Sequence, residues 1–293
     1  MSGLSISSIS GNLQATQQLQ RVQASLADTL TQLSTGSRIN SAKDDPAGLI
    51  AQEMLRAEIS ASNAAVKNTN MANMMLKVAE SGLGQISSLL NEAKGLAVES
   101  ANNAAMNSEM LEANQTQLNQ ILNSINRIAG ATNWLGTPLL DGSLSAQSEG
   151  GGAAFQLGTQ VVSSQQFTQP IDSVLVNSVG NGTGRLSDLL SGGVAELASN
   201  PALASSIIDS AILQIATQRG ELGTTQKYTL DHNIASLEDS LVQLTGGLSL
   251  ISDADFAVTS SMLARDQILL GTAIQALGII NQNSQYAASL ISS

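Results

Sequence analysis

The chain has 293 residues, 42% of them hydrophobic and only 2% aromatic, so it can bury a sizeable core and that core is aliphatic. Twelve basic residues against 23 acidic ones give a net charge of −11, which argues against a phosphate-binding surface and a nucleic-acid partner. Cysteine is absent, which excludes disulfides, thiol catalysis and cysteine-ligated metals, while charged residues at only 12% point to a surface hidden against copies of itself.

Along the chain, Ile9, Leu13, Thr16, Leu19, Val22, Leu26, Leu30 and Leu33 step by three or four, which predicts a first helix with one apolar stripe. It should stop near Thr35-Gly36, where glycine supplies a left-handed closing residue. Ser37 to Pro46 carries no stripe and reads as a loop. Asp45-Pro46 then joins an N-cap acceptor to a proline at the first helical position. A long helix follows, with Ile50, Met54, Ala57, Ala61, Ala64, Asn68, Met71, Met75, Val78, Gly82, Ile86, Leu89, Ala93 and Leu96 at near-heptad spacing. Such a rod is roughly 70–80 Å long. Asn68 in that stripe reads as a register-setting polar residue. Asn102-Asn103 breaks the pattern. A further helix is predicted from about Asn107 to Ala129, with Leu111, Leu118, Ile121, Ile125 and Ile128 on one face and Gly130 ending it.

Residues 133–200 are rich in Gly, Ser, Gln, Thr and Asn. Ala154 to Gly158 and Val174-Leu175-Val176 predict short strands in a hairpin or small sheet, with turns at Glu149–Gly152 and Gly180–Gly184. Helix returns at Asn200-Pro201. Its stripe runs through Ile208, Ala211, Ile215 and Leu222, then Leu230, Ile234, Leu237, Leu241, Leu244, Leu248 and Ile251. Ser252-Asp253-Ala254-Asp255 has the form of a capping box with Asp in place of Glu. Val258, Met262, Leu269, Ala273, Ala276, Ile280, Ala287 and Leu290 continue a heptad-like stripe. No charge follows Asp266, but Gln275, Asn281, Gln282, Asn283, Ser284 and Gln285 suit a buried protein–protein helix better than a membrane span. The first basic residue is Arg21, so no cleaved secretory signal is expected.

These elements define a mainly α fold, with long antiparallel coiled-coil helices from both termini and a small β-hairpin region in the middle. The first helix should pair with the last, and the long helix with its C-terminal counterpart. No catalytic, cofactor or metal site is expected. His232 stands alone beside Asp231. Asp44-Asp45 and Asp253/Asp255 are explained as helix caps, and Gly180–Gly184 lacks the Lys-Ser/Thr of a phosphate loop. Asn114-Gln115-Thr116 and Asn181-Gly182-Thr183 match the short glycosylation pattern.

Four blocks carry a resemblance. Leu33-Ser34-Thr35-Gly36-Ser37-Arg38-Ile39-Asn40-Ser41-Ala42-Lys43-Asp44-Asp45-Pro46-Ala47-Gly48 resembles the N-terminal signature of the bacterial flagellins. Gly95 to Asn102, Gln218-Arg219-Gly220-Glu221-Leu222-Gly223 and Ser252 to Ala257 resemble later blocks of the same family. The resemblance covers about residues 4–140 and 205–293. It implies a non-enzymatic structural subunit, without cofactor, that polymerises into the flagellar filament for motility. A hook–filament junction protein and a cytoplasmic coiled-coil adaptor are the alternatives. The implied division is 1–46 as inner-core helix and spoke, 47–140 as N-terminal rod helices, 141–200 as a small β and loop region, 201–252 as C-terminal rod helix and 253–293 as C-terminal inner-core helix. The implied self-assembly core is Leu13, Leu19, Val22, Leu26, Leu30, Leu33, Met262, Leu269, Leu277 and Ile280. The implied contacts between subunits in the spoke are Arg38, Asn40, Lys43, Asp44 and Asp45. The implied partners are further copies of the chain, an export chaperone, and the cap and junction proteins, with neither nucleic acid nor membrane. The implied location is the extracellular filament, reached by type III export. Two departures stand out: the middle is short, and Glu92 occupies a position where flagellins often carry arginine in an innate immune receptor site.

Overall fold

The computed structural model describes residues 2–102 and 106–292, with side chains from residue 11 onward except at 284, 287, 288 and 290–292. The predicted break at Asn103, and the side chains of Ile9, Ser284, Ala287 and Leu290, lie outside the described residues. The helices are α1 (Ser2–Thr35), α2 (Pro46–Ser100), α3 (Ser108–Ala131), α4 (Pro201–Thr224), α5 (Asp231–Ser252) and α6 (Phe256–Ser292), with a π-helical segment at Thr225–Leu230. Three two-stranded antiparallel pairs lie between α3 and α4: β1 (Asn133–Trp134) with β2 (Thr137–Pro138), β3 (Ala153–Gln156) with β4 (Gln166–Gln169), and β5 (Gly180–Asn181) with β6 (Gly184–Arg185). The chain divides into two compact units, residues 60–241 and residues 1–59 with 242–293.

In the larger unit, α2 buries Ala65, Thr69, Ala72, Leu76, Ala79, Leu83, Ile86, Leu90, Ala93 and Ala97. Steps of four and three alternate without a break, which is the heptad spacing of a coiled-coil seam. Over its first part this row lies one residue beyond the expected one. Ala64 and Met71 are exposed and Asn68 is only half-buried, so Asn68 is not the seam residue. Two neighbouring rows of α2 are both apolar, and spacing alone does not choose between them. The partner helices do. One core joins this row to Leu118, Leu122 and Ile125 of α3 and to Ala204, Ile208, Ala211 and Ile215 of α4. The α2 and α4–α5 helices run antiparallel: Lys94 meets Asp209, Glu80 accepts from Arg219 at 2.7 Å, and Thr69 accepts from Asn233 at 3.0 Å.

The α3 helix starts where Asn107 accepts the Met110 amide proton at 2.9 Å, and it passes through Gly130 to Ala131. Gly130 therefore does not end it; Thr132 does. The β3–β4 register sets Phe155 opposite Phe167. Val174-Leu175-Val176 is not a strand. Val174 and Val176 are buried, but their amides go to the Leu140 carbonyl and the Asn126 side chain instead of a ladder. An apolar run signals burial here, not strand pairing. The glycines at 180–184 form the β5–β6 hairpin, closed by Asn181 Oδ1 accepting the Thr183 and Gly184 amides. In the π-helical turn, Thr225 and Leu230 stand five residues apart and are both buried. The wider turn of a π-helix brings such a pair to one face.

In the smaller unit, α1 and α6 pair antiparallel. Asn12 donates to Asn281 at 3.3 Å, Ser25 to Asp266 at 2.7 Å, and the Arg38 amide to the Ser252 carbonyl at 2.6 Å. The buried and half-buried positions that line the seam are Asn12, Ala15, Leu19, Val22, Leu26, Thr29 and Leu33 on α1. On α6 they are Thr259, Leu263, Asp266, Leu270, Ala273, Leu277 and Ile280. Both sets alternate steps of three and four. On α5, Ile234, Leu237, Leu241, Leu244, Leu248 and Ile251 are half-buried, as their spacing predicts.

Candidate assembly surface

A narrow seam between two helices leaves most of their apolar residues bare. Along it, among the described residues, only Val22, Thr29, Thr259 and Asp266 are fully buried. Beside it Leu13, Leu30, Val258, Met262, Ile268, Leu269, Ile274 and Ile279 are exposed. Patches of this kind on soluble proteins mark contact with another surface. The expected core residues therefore fall into two groups. Leu19, Val22, Leu26, Leu33, Leu277 and Ile280 lie in the seam of the single chain. Leu13, Leu30, Met262 and Leu269 lie outside it, facing away, so they do not pack the α1–α6 pair itself. Among the described residues, Phe256–Asn283 is the one stretch long and apolar enough to cross a membrane by length and composition. Its Asp266 side chain is buried against Ser25.

The loop after α1 is built from short polar side chains. Gly36 adopts φ +70°, the left-handed closing residue expected. The segment then pairs with the connection before α6: Ser37 bridges Asp253, Ala254 donates its amide to the Gly36 carbonyl at 2.9 Å, and Arg38 donates through its guanidinium to the Ile251 carbonyl at 2.9 Å. Asn40 donates through its side chain to the Ser37 carbonyl at 2.8 Å. Asp44 accepts the amides of Asn40 and Ser41 at 3.0 and 2.9 Å. Those two hydrogen bonds, Asn40 first, hold its carboxyl below the usual range. Asp45 caps α2, accepting the Gly48 amide at 2.8 Å, and lies 4.0 Å from the Arg38 guanidinium. A Cβ at Gly48 would sit 2.5 Å from Ile39 Cδ1, so a larger residue there would have to displace the Ile39 and Asp45 side chains. Arg38, Asn40, Asp44 and Asp45 thus make contacts within one chain. Lys43 is exposed, and its charge favours the ionised form of Asp44.

The expected capping box at Ser252–Asp255 has a different form. Ser252 ends α5, and Asp255 caps α6, accepting the amides of Ala257 and Val258 at 2.9 and 3.1 Å. Residues 253 and 254 are taken up by pairing with 36 and 37, which delays the helix start. Two features were not legible in the sequence: the buried Ser25–Asp266 pair and the π-helical turn. Asp266 interrupts an otherwise apolar heptad, which is the signal that could have found it. His232 stacks on Tyr228 with ring centroids 6.3 Å apart. Asn114 of the first glycosylation pattern is buried and donates to Ser100.

A family model described as the bacterial flagellin N-terminal helical region matches residues 6–145. Another, the bacterial flagellin C-terminal helical region, matches residues 205–291. A flagellin of Listeria monocytogenes is 28% identical over 290 residues, covering 96% of this chain and 97% of that protein. A flagellin of Bacillus subtilis is 27% identical, covering 89% and 91%. Among solved structures, a putative flagellar hook-associated protein from Vibrio parahaemolyticus superposes with a TM-score of 0.59 at 17% identity, over 71% of this chain and 99% of that one, which shows likeness of fold alone. With the two terminal helical regions matched in order and relatives aligned along nearly their whole length, this chain belongs to the bacterial flagellin family, whose members are structural subunits of the flagellar filament and not enzymes.

Proposed function

We propose that the subunits polymerise by covering the bare apolar rows of α1 and α6 with the same helices of neighbouring copies. The observation that carries this is the exposed set Leu13, Leu30, Met262 and Leu269 flanking a seam whose other face already has a partner. Covering apolar surface stabilises association by about 25 cal/mol per Å² before ordering costs. Repeated head-to-tail contact that does not close gives a filament instead of a ring. In this reading residues 1–46 and 253–293 form the inner core, 47–140 and 201–252 the rod, and 141–200 a small outer region. Leu19, Val22, Leu26, Leu33, Leu277 and Ile280 hold the terminal pair together, while Leu13, Leu30, Met262 and Leu269 meet neighbours. Residues 34–46 form the spoke. Its role is to fix the turn from α1 to α2, with Lys43 the side chain most free to reach another subunit. Export to the cell exterior, a chaperone for the terminal helices, and cap and junction proteins at the filament ends follow from the family by analogy.

The test is seeded polymerisation of the purified chain, followed by electron microscopy. Long tubular filaments are expected. Monomer that persists with seeds present would favour the junction-protein reading, because such a subunit need not add to its own kind.

A further inference from the structure

Asp266 is the one charged residue with a buried side chain among the described residues. It occupies the α6 seam between Leu263 and Leu270, at a position where the heptad calls for an apolar side chain. Its Oδ2 accepts the Ser25 hydroxyl of α1 at 2.7 Å, and its Oδ1 accepts from Nε and Nη2 of Arg265 at 3.0 and 2.9 Å. Thr29 of α1, one turn on, is buried beside it and bonds back to the Ser25 carbonyl. Elsewhere the seam is mostly aliphatic, with Thr29 and Thr259 as uncharged polar positions and an exposed Asn12–Asn281 hydrogen bond near its far end, and its positions repeat every seven residues. An antiparallel pair of such helices gains nearly the same burial when one slides a heptad past the other. A buried polar rung removes that degeneracy, because a slipped register leaves the carboxylate facing apolar side chains and the Ser25 hydroxyl without its acceptor.

We infer that the Ser25–Asp266 rung sets the register of α1 on α6. The inference rests on the assembly reading only for its consequence, that the exposed rows of both helices line up for the next subunit. The rung therefore selects among pairings and is not the source of the pairing itself. Replacing it with an apolar residue should leave the helices together while letting them slide.

The chain has no cysteine, so an introduced pair is the only thiol couple present. Asn12→Cys with Asn281→Cys replaces the hydrogen-bonded pair and reports the native register. Asn12→Cys with Ile274→Cys, and Leu19→Cys with Asn281→Cys, report a slip of one heptad in either direction. Each pair is oxidised in the full-length free chain, in three backgrounds, and intrachain disulfide is read by gel mobility. With Asp266, or with Asp266→Asn, whose amide oxygen still accepts from Ser25, the native pair is expected to exceed the slipped pairs by about tenfold or more. With Asp266→Leu that ratio is expected to fall toward one while helicity is unchanged. A native-only pattern in Asp266→Leu would overturn the inference. So would loss of every cross-link with loss of helicity, since the rung would then be a source of stability. A chain with the native pattern that fails to polymerise on seeds counts against the assembly reading and leaves the register inference standing.

Discussion

Asp45 and Gly48 act as one device at the start of α2. The carboxylate takes the Gly48 amide proton, and the missing Cβ at 48 lets Asp45 and Ile39 close over it. Asp45→Ala should cost about 0.5–2 kcal/mol, the usual loss for an N-cap, measured by urea denaturation. Gly48→Ala should also destabilise, by pushing Ile39 from its buried place. Asp44 adds a pH dependence. Its folded carboxyl titrates below the unfolded value of 3.8, so its contribution is complete above that value and is lost as pH falls through the folded one. The gap in Tm between the natural chain and Asp44→Ala should therefore be constant near neutrality and close on acidification below pH 3.8. A gap unchanged at low pH would remove the carboxylate from the account.

At the scale of elements, the β3–β4 pair meets the π-helical turn through a buried hydrogen bond from Thr225 to Gln169 at 2.6 Å. Thr225→Val keeps the shape and removes the donor. It should cost about 1–3 kcal/mol, because Gln169 is left buried with an unmet acceptor. A cost near zero would mean that the turn is held by packing alone. Helix positions were legible in the sequence because their signals are local. Asp45-Pro46, Asn107, Asn200-Pro201 and the Thr35-Gly36 stop all fall where a cap or a left-handed residue is needed. Which row of α2 faces inward was not legible, since Met71 and Ala72 are both apolar and the choice is made by α3 and α4. The strand expected at Val174 failed for a similar reason: burial there comes from filling the core. The π-helical turn leaves no local mark at all. On the terminal helices the stripe was nearly right. Leu19, Val22 and Leu26 fall in the seam, whereas Leu13, Leu30, Met262 and Leu269 lie in the exposed rows beside it.

For the whole molecule, the two units differ in what they can bury alone. The larger one closes a core that draws on α2, α3, α4 and residues 139–197. The smaller one pairs α1 with α6, beside the first part of α2 and the end of α5, and leaves apolar rows of α1 and α6 exposed. That asymmetry separates folding from assembly and makes each testable by itself. Leu13→Asp, outside the seam, should weaken polymerisation while sparing the α1–α6 pair, read as native-register cross-linking with filament yield reduced.

Whether filament growth requires the paired terminal helices that present those exposed rows is decided by Leu277→Asp in seeded polymerisation. Leu277 sits half-buried in the α6 seam, where a charge is costly. Electron microscopy of the natural chain should show long filaments. The variant should show none, while circular dichroism retains the helix signal of residues 60–241. Filaments of natural length from Leu277→Asp would contradict the account.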